Sequence, residues 1–573
     1  MKNWIKDTFH AISVILRNED SKDRIYFTIT MIVGVASGVI AVAIQHLTHT
    51  LTVFFRSDTA FSWWTICWGG SAVFISGIIT TKYFPSTTGS GIPGVKIALA
   101  VYNGRLTIFS TFAKFIASIL SLSSGLSLGR EGPTVAIAGG VGSYLAQIFR
   151  LSKKKTKDLV AIGAAGGLAA AFNTPIAAVI FTLEEVVGDL NAKVLGPIII
   201  SSILASVVAS VLLGNASTFS GVKYSLGNPK ELIFYLFVGV VAALCGVLWV
   251  KSVIGIRELV RKRFKDHRLL LIMLSFFFIA ALSYIHPDVL GGGHGPIEQA
   301  IQSQYIDWKV FLGLFILKFI ATTVCYGSGV SGGLFMPTLF MGAMIGGLIG
   351  SLTMHFFPFL GPYTGAFSLV GMGAFFASVI RTPFTSIIMI FEMTRDYKIM
   401  LPLMIANTVA YFISQRMIKG SIYEIISEQD GVHLPSRDDD EVLESVEIRD
   451  IMIKKFKSLD ADLTISEAYE KTLEDRYEGY PVLRDGNFIE MVSHHYINNR
   501  LLEGGKDDVL GGFCHHEAME WVYPDQSLFK ALHKMKKNAR SRIPVVSRIN
   551  DEKILGIVTI ECIVNYLSNV KND

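Results

Sequence analysis

Residues 129–133, Gly-Arg-Glu-Gly-Pro, place two charges inside the apolar surroundings of Ser121–Leu145. Charged side chains in a membrane-grade run are expensive, so they mark a functional site by default. Pro133 suits the first turn of a helix, where a missing N–H costs nothing. Gly129 and Gly132 leave the backbone bare, so an anion could approach the free N–H groups of that helix start. Glu131 then sets a carboxylate where the anion would otherwise sit. Deprotonated, it competes with the anion; protonated, it need not. That describes a gate worked by a proton. The plainer alternative is a buried Arg130–Glu131 ion pair capping the helix.

The elements that must position this motif are membrane spans. The 573-residue chain is 51% hydrophobic and only 17% charged, against about a quarter charged in soluble proteins. Ile25–Leu47, Phe61–Thr80, Val194–Leu213, Leu232–Val250, Leu269–Ile285 and Val310–Cys325 approach the roughly 20 residues that cross a bilayer. The charged start, without a small-residue cleavage site, reads as an amphipathic cytosolic lead-in rather than a removable signal peptide. Net charge is +5, and the clusters Lys153–Lys157 and Arg261–Lys265 read as positive-inside loops, not as a nucleic-acid surface. Cysteines 67, 245, 325, 514 and 562 form no CxxC pair and read as free thiols.

Many apolar segments are short and broken by Gly or Pro, as at Gly89–Gly94, Gly129–Pro133, Asn173–Pro175, Gly327–Pro337 and Thr382–Pro383. Broken helices are tolerated in a membrane only where they are buried in protein or line a cavity, and in transporters their ends commonly hold the ion. The breaks recur. Gly129 precedes Pro133 by four residues, as Gly333 precedes Pro337; Pro175 precedes Glu184 by nine, as Pro383 precedes Glu392. We read an internal duplication over Tyr26–Leu190 and Leu232–Tyr423; spacing alone does not say whether it is inverted. Gly342, Gly346 and Gly350 stripe one face for helix packing.

Beyond Tyr423 the composition turns polar. The expected division is a membrane domain over 1–427, an acidic linker over 428–445, and two small α/β units over 446–505 and 506–573. Neither unit can build a full core alone, so they should pair. The histidine pairs at 494–495 and 515–516 have no metal-site spacing, and His516–Glu520 lacks the second His of a zinc protease motif, so no metal site is expected.

Gly89-Ser90-Gly91-Ile92-Pro93, Gly129–Pro133, Gly333-Leu334-Phe335-Met336-Pro337, Ser378–Pro383 leading to Phe391-Glu392-Met393-Thr394, and Tyr423 after the last apolar segment follow one another in an order that resembles the CLC family of chloride channels and chloride–proton exchangers. The tail resembles a tandem CBS pair. The resemblance implies an all-α polytopic membrane domain with inverted repeats and broken helices, plus a cytosolic α/β CBS domain. It implies a homodimer in the cell (inner) membrane with one pathway per subunit. Ser90 and Tyr423 hydroxyls, with backbone N–H groups near Leu334 and Phe335, would hold chloride, using neutral donors that do not trap an anion. Taken alone, Ser90 reads equally as a helix cap and Tyr423 as an interfacial aromatic. By the same resemblance Ser90 points to chloride, since members with Pro there look nitrate-selective and a fluoride branch can have Asn.

Glu131 would be the gating glutamate and Glu185 the internal proton-transfer glutamate of an exchanger; a position commonly apolar in channels is acidic here. Adjacent Glu184 points about 100° away on a helix, so one of the two faces the proton route; alternatively both mark a polar helix end. The leading expectation is chloride/proton antiport without a cofactor and without enzymatic activity. A passive chloride channel of the same fold is the alternative, and a CBS sensor with a membrane anchor is the reading from another class. Adenosine-binding CBS units typically end in Gly-x-x-Thr/Ser-x-x-Asp. Here Gly556–Cys562 has Cys in the last place and Glu490–Tyr496 lacks both Gly and Asp, so adenine nucleotide binding is expected to be weak or absent.

Overall fold

The computed structural model describes residues 19–55, 62–189, 194–214, 229–305, 307–358, 363–432, 443–513 (474, 476 and 478 apart), 520–537 and 540–570. It divides into two compact units, Met1–Leu434 and Pro435–Asp573. The lead-in over 1–18, the acidic run Asp438–Glu441, Cys514 and His515–His516 lie outside the described residues.

In the first unit, one half contains α1 (Glu19–Phe55), α2 (Trp63–Ile78), α3 (Ile92–Ala100), α4 (Ile108–Ser123), α5 (Glu131–Ile148), α6 (Lys153–Phe172), α7 (Pro175–Phe181) and α8 (Leu195–Leu213). The other contains α9 (Glu231–Arg263), α10 (Arg268–Ile285), α11 (His294–Ile301), α12 (Trp308–Gly327), α13 (Phe335–Phe356), α14 (Thr364–Ile380), α15 (Pro383–Thr394) and α16 (Met400–Met417), followed by α17 (Ile422–Gln429). The neighbours match pair for pair: α5 packs on α6 as α13 on α14, and α1 on α6 and α8 as α9 on α14 and α16. Their breaks match too. Asn173 (φ 56°) and Arg381 (φ 68°) end α6 and α14 in the left-handed region, two residues before Pro175 and Pro383 start the next helices. Arginine is unfavourable there, and Arg381 is held by hydrogen bonds to Ser414 O (2.6 Å) and Ile418 O (2.8 Å).

The halves are inverted. Gly129 and Gly333, equivalent residues, exchange both backbone hydrogen bonds in an antiparallel bridge (2.8 and 2.7 Å). A residue paired this way with its own counterpart has a local two-fold axis between the two. The same axis appears where Glu392 accepts from Ile176 N (3.0 Å) and Ala177 N (2.7 Å), while Glu184 accepts from Thr385 N (3.0 Å) and Oγ1 (2.8 Å). Each carboxylate satisfies the orphan N–H groups at the start of the other half's helix.

Long helices α1, α2, α8–α10, α12 and α13 are apolar enough to span a membrane. Most present about half or more of their surface outward, with Phe237, Val211 and Leu248 exposed, whereas α13 is almost wholly buried. The glycine stripe explains that burial. A Cβ on Gly342 or Gly346 would strike the α14 backbone at Gly371 or Phe367, so α13 and α14 touch main chain to main chain. The basic clusters are corrected from loops to helix ends. Lys153–Lys157 open α6 behind an Ser152 N-cap, and Arg261–Arg263 form the last turn of α9, where the helix dipole favours them.

In the second unit, β1 (Leu459–Asp460), α18 (Ile465–Thr472), β2 (Tyr480–Arg484), β3 (Asn487–Val492) and α19 (His494–Leu502) precede α20 (Leu528–Lys537), β4 (Arg542–Val546), β5 (Ile554–Thr559) and α21 (Ile560–Val570). One sheet runs β1-β2-β3, the other β4-β5. Phe488 and Met491 share an apolar cluster with Val546 and Ile557, so the two parts do pair. Val446–Met452, which leads into the first part, packs in the core of the second. Ile448 N donates to Gln526 O, Leu528 N donates to Val446 O, and Ile448 sits with Val522, Leu528 and Val558.

Candidate functional site

The inversion brings the starts of α5 and α13 together, so two positive helix ends converge where Gly129 meets Gly333. Ser90 reaches the same place from the turn before α3. Gly91 there has φ 90°, and a Cβ on it would lie 2.6 Å from the Ala136 Cβ. A Cβ on Gly132 would strike Ser90 Oγ. Glycine is thus required at both positions for the turn to seat against α5.

Ser90 and Tyr423 are buried (1% and 0% exposed), and neither hydroxyl has a hydrogen-bond partner. Such orphans are rare in folded proteins and call for an explanation. Leu334 and Phe335 are fully buried at the first turn of α13, whose opening N–H groups have no intrahelical partner. Phe172, Phe181 and Phe376 pack their rings on Phe335 at 5.1, 5.7 and 4.7 Å, an apolar wall around these donors. The expected ligands come from the turn before α3, the start of α13 and α17.

Glu131 is fully buried at the first position of α5, and neither carboxylate oxygen has a hydrogen-bond partner. A Cβ on Gly129 would strike Glu131 Oε2 and come 3.2 Å from Met336 N, so the carboxylate occupies the space over the bare glycine beside the start of α13. Arg130 Nε is 4.0 Å from Glu131 Oε1, and it too lacks a hydrogen bond. That is proximity, not the hydrogen-bonded cap of the alternative reading. His294 Nε2, which sequence reasoning missed, stands 3.8 Å from the same oxygen.

Glu184 and Glu185 sit on a π-helical turn, Thr182–Val187, of the kind frequent at functional sites. They point to different partners. Glu184 caps α15, as described above. Glu185, buried, accepts from Lys96 Nζ at 2.7 Å and Ser421 Oγ at 2.9 Å.

Other residues had no motif to announce them. Tyr326 OH accepts from Ser90 N at 3.5 Å. Lys114 Nζ holds Thr87 O (2.8 Å) and Gly89 O (2.6 Å); Lys318 Nζ holds Val289 O (3.0 Å) and Gly291 O (2.6 Å). The signal was there: a lysine lies fifteen residues before Gly129 in one apolar run and fifteen before Gly333 in the other. Each pins the loop that leads into α3 or α11. A cavity of about 420 Å³, lined by Ser90, Lys114, Arg257, Arg261, Arg268 and Tyr326, opens from Ser90 toward the basic ends of α9 and α10.

In the tail, Cys562 N donates to Thr559 Oγ1 (3.1 Å), which lies 3.0 Å from the thiol; Tyr496 is 40% exposed. His494 Nδ1 lies 2.9 Å from Thr472 Oγ1, and its ring stacks on Tyr469.

Comparison with known proteins gives concordant results. Residues 72–415 match the voltage gated chloride channel family, and 448–503 and 515–569 each match the CBS domain. The H(+)/Cl(-) exchange transporter ClcA of Vibrio campbellii is 32% identical over 407 residues, 68% of this chain and 86% of that protein. Its namesake in Vibrio cholerae is 31% identical over 421 residues, 70% of this chain and 90% of that protein. Among solved structures, a eukaryotic CLC transporter superposes with TM-score 0.70 at 21% identity, over 94% of this chain and 97% of its own. A slow cyanobacterial Cl−/H+ antiporter does so with TM-score 0.66 at 23% identity, over 71% and 97%.

Proposed function

This chain belongs to the voltage gated chloride channel family, and on that premise we propose that it is a multi-pass membrane antiporter exchanging chloride for protons. Ser90, Tyr423 and the N–H groups at Leu334 and Phe335 hold a dehydrated chloride. Each donor is neutral or a helix end, strong enough to replace water and weak enough to release the ion. Glu131 is the gate. Its buried carboxylate, without a hydrogen bond and beside two helix N-termini, is the observation that carries the reading. Ionised, it fills the anion's place; protonated, it gives up both the charge and that place. Glu185 takes the proton at the other end of the route. An acidic residue there, together with relatives named as exchange transporters, favours exchange over a passive channel.

The basic ends of α9 and α10 support a cytoplasmic side for the cavity next to Ser90, by the positive-inside rule. The tail following α17 then lies in the cytosol of a homodimer in the cell membrane. Its CBS pair serves as a scaffold, without a ribose-binding acid at Cys562 or Tyr496. The gate assignment is tested by Glu131→Gln, which mimics the protonated form. Chloride flux into proteoliposomes persists and coupled proton movement stops. A variant that still moves protons against their gradient overturns the assignment.

A further inference from the structure

Resting on the antiport reading, we propose that Glu424 is the solvent-facing station that loads Glu185 with protons, passing them through the Lys96 ammonium. Lys96 Nζ lies between the two carboxylates, 2.7 Å from Glu185 Oε1 and 3.2 Å from Glu424 Oε1. Their side chains differ in access: Glu185 is 4% exposed, Lys96 9% and Glu424 30%. Glu184, the other acid nearby, is engaged with Thr385. Glu424 is therefore the member of the cluster that meets water.

Charge gives the cluster its capacity. One ammonium and two carboxylates, all ionised, leave one net negative charge in a largely buried place, and a single proton neutralises it. The transfer balances. A hydronium ion protonates Glu424 and leaves as water; the Lys96 ammonium gives a proton to Glu185, and its nitrogen then takes the proton from Glu424. One O–H forms at Glu185 and one breaks at Glu424, and Lys96 ends as it began. Other groups facing the cluster are Ser421 Oγ, 2.9 Å from Glu185, Tyr423 near Glu185, and Arg381 near Glu424. Arg257, on α9 beside α17, is paired with Asp430 at 2.6 Å.

The placement also ties proton to anion. Two helices build both sites: α3 follows Ser90 and carries Lys96, and α17 carries Tyr423 and Glu424 side by side.

Glu424 has a structural duty as well, closing a capping box with Ser421. Gln fills that position equally, so Glu424→Gln keeps the cap and removes the proton. Lys96→Arg keeps the positive charge and does not release a proton. In proteoliposomes, with proton and chloride fluxes measured together, each variant lowers protons moved per chloride by about 100-fold or more, the low side of a lost general acid. Chloride flux stays within about twofold, and in Glu424→Gln the dependence of proton flux on pH at the basic face flattens. Wild-type proton-to-chloride ratios in either variant overturn the proposal, as does loss of chloride flux in both, which would assign the pair to the anion path or the fold. If the unmodified protein moves no protons uphill, it is the antiport reading that has failed, and the proposal goes with it.

Discussion

Replacing Glu184 with alanine weakens the protein without uncoupling it, although the residue sits next to the proposed proton acceptor. Its carboxylate accepts two hydrogen bonds from Thr385, at 3.0 and 2.8 Å, at the start of α15. Hydrogen bonds to a charged group contribute about 1.5–3 kcal/mol each. Both come from one residue and Glu184 is only half-buried, so the two together are counted as one such bond, about 2 kcal/mol. If the unfolding barrier feels all of it, thermal inactivation accelerates by up to about 30-fold. Glu184→Gln retains a carbonyl acceptor and costs about 1 kcal/mol. The assay pairs the inactivation rate of purified protein in detergent with the proton-to-chloride ratio in liposomes. A normal inactivation rate together with lost proton movement would refute this separation and return Glu184 to the proton route.

Three further outcomes follow from the same geometry. Ser90→Pro raises nitrate passage relative to chloride, because it removes an unpartnered donor aimed at the central site; unchanged selectivity in a folded protein removes Ser90 from the ligand set. Gly132→Ala drives a methyl into Ser90 Oγ and lowers chloride flux with little change in membrane insertion, whereas Gly94→Ala, with open space around its Cβ, does neither. A Pro435–Asp573 fragment, which keeps Leu443 in its core, binds ATP and AMP weakly or not at all by calorimetry. The missing acid is worth about 1.5–3 kcal/mol, or about 10- to 150-fold in affinity, and a clear micromolar isotherm would show that other residues replace it.

What could be read from the chain was whatever repeats at short range. Gly and Pro impose local backbone rules, so Gly129–Pro133 and Gly333–Pro337 announced two matching helix starts, and hydropathy located the long spans. Inversion was not legible, because it lies in which residues meet: Gly129 with Gly333, and Glu392 with Ile176 and Ala177. Helix α6 was hidden because its first turn is Lys153–Lys155 and its interior is alanine and glycine, which pack well but score weakly as apolar. The inner cluster was half visible. Glu185 stood out, but Lys96 and Glu424 are 328 residues apart, and single charges at such distances carry no pattern. The packing of Val446–Met452 on the second part was illegible for a similar reason: its partners at Pro524–Leu528 lie in the other half of the tail.

The most direct measurement of chloride/proton exchange uses purified protein in proteoliposomes with equal pH on both sides and a chloride gradient. Exchange predicts that chloride running down its gradient drives protons up theirs, in the opposite direction, and that an imposed pH gradient in turn drives chloride uphill. Chloride flux that dissipates its gradient with no proton movement would contradict it and make the protein a passive pathway.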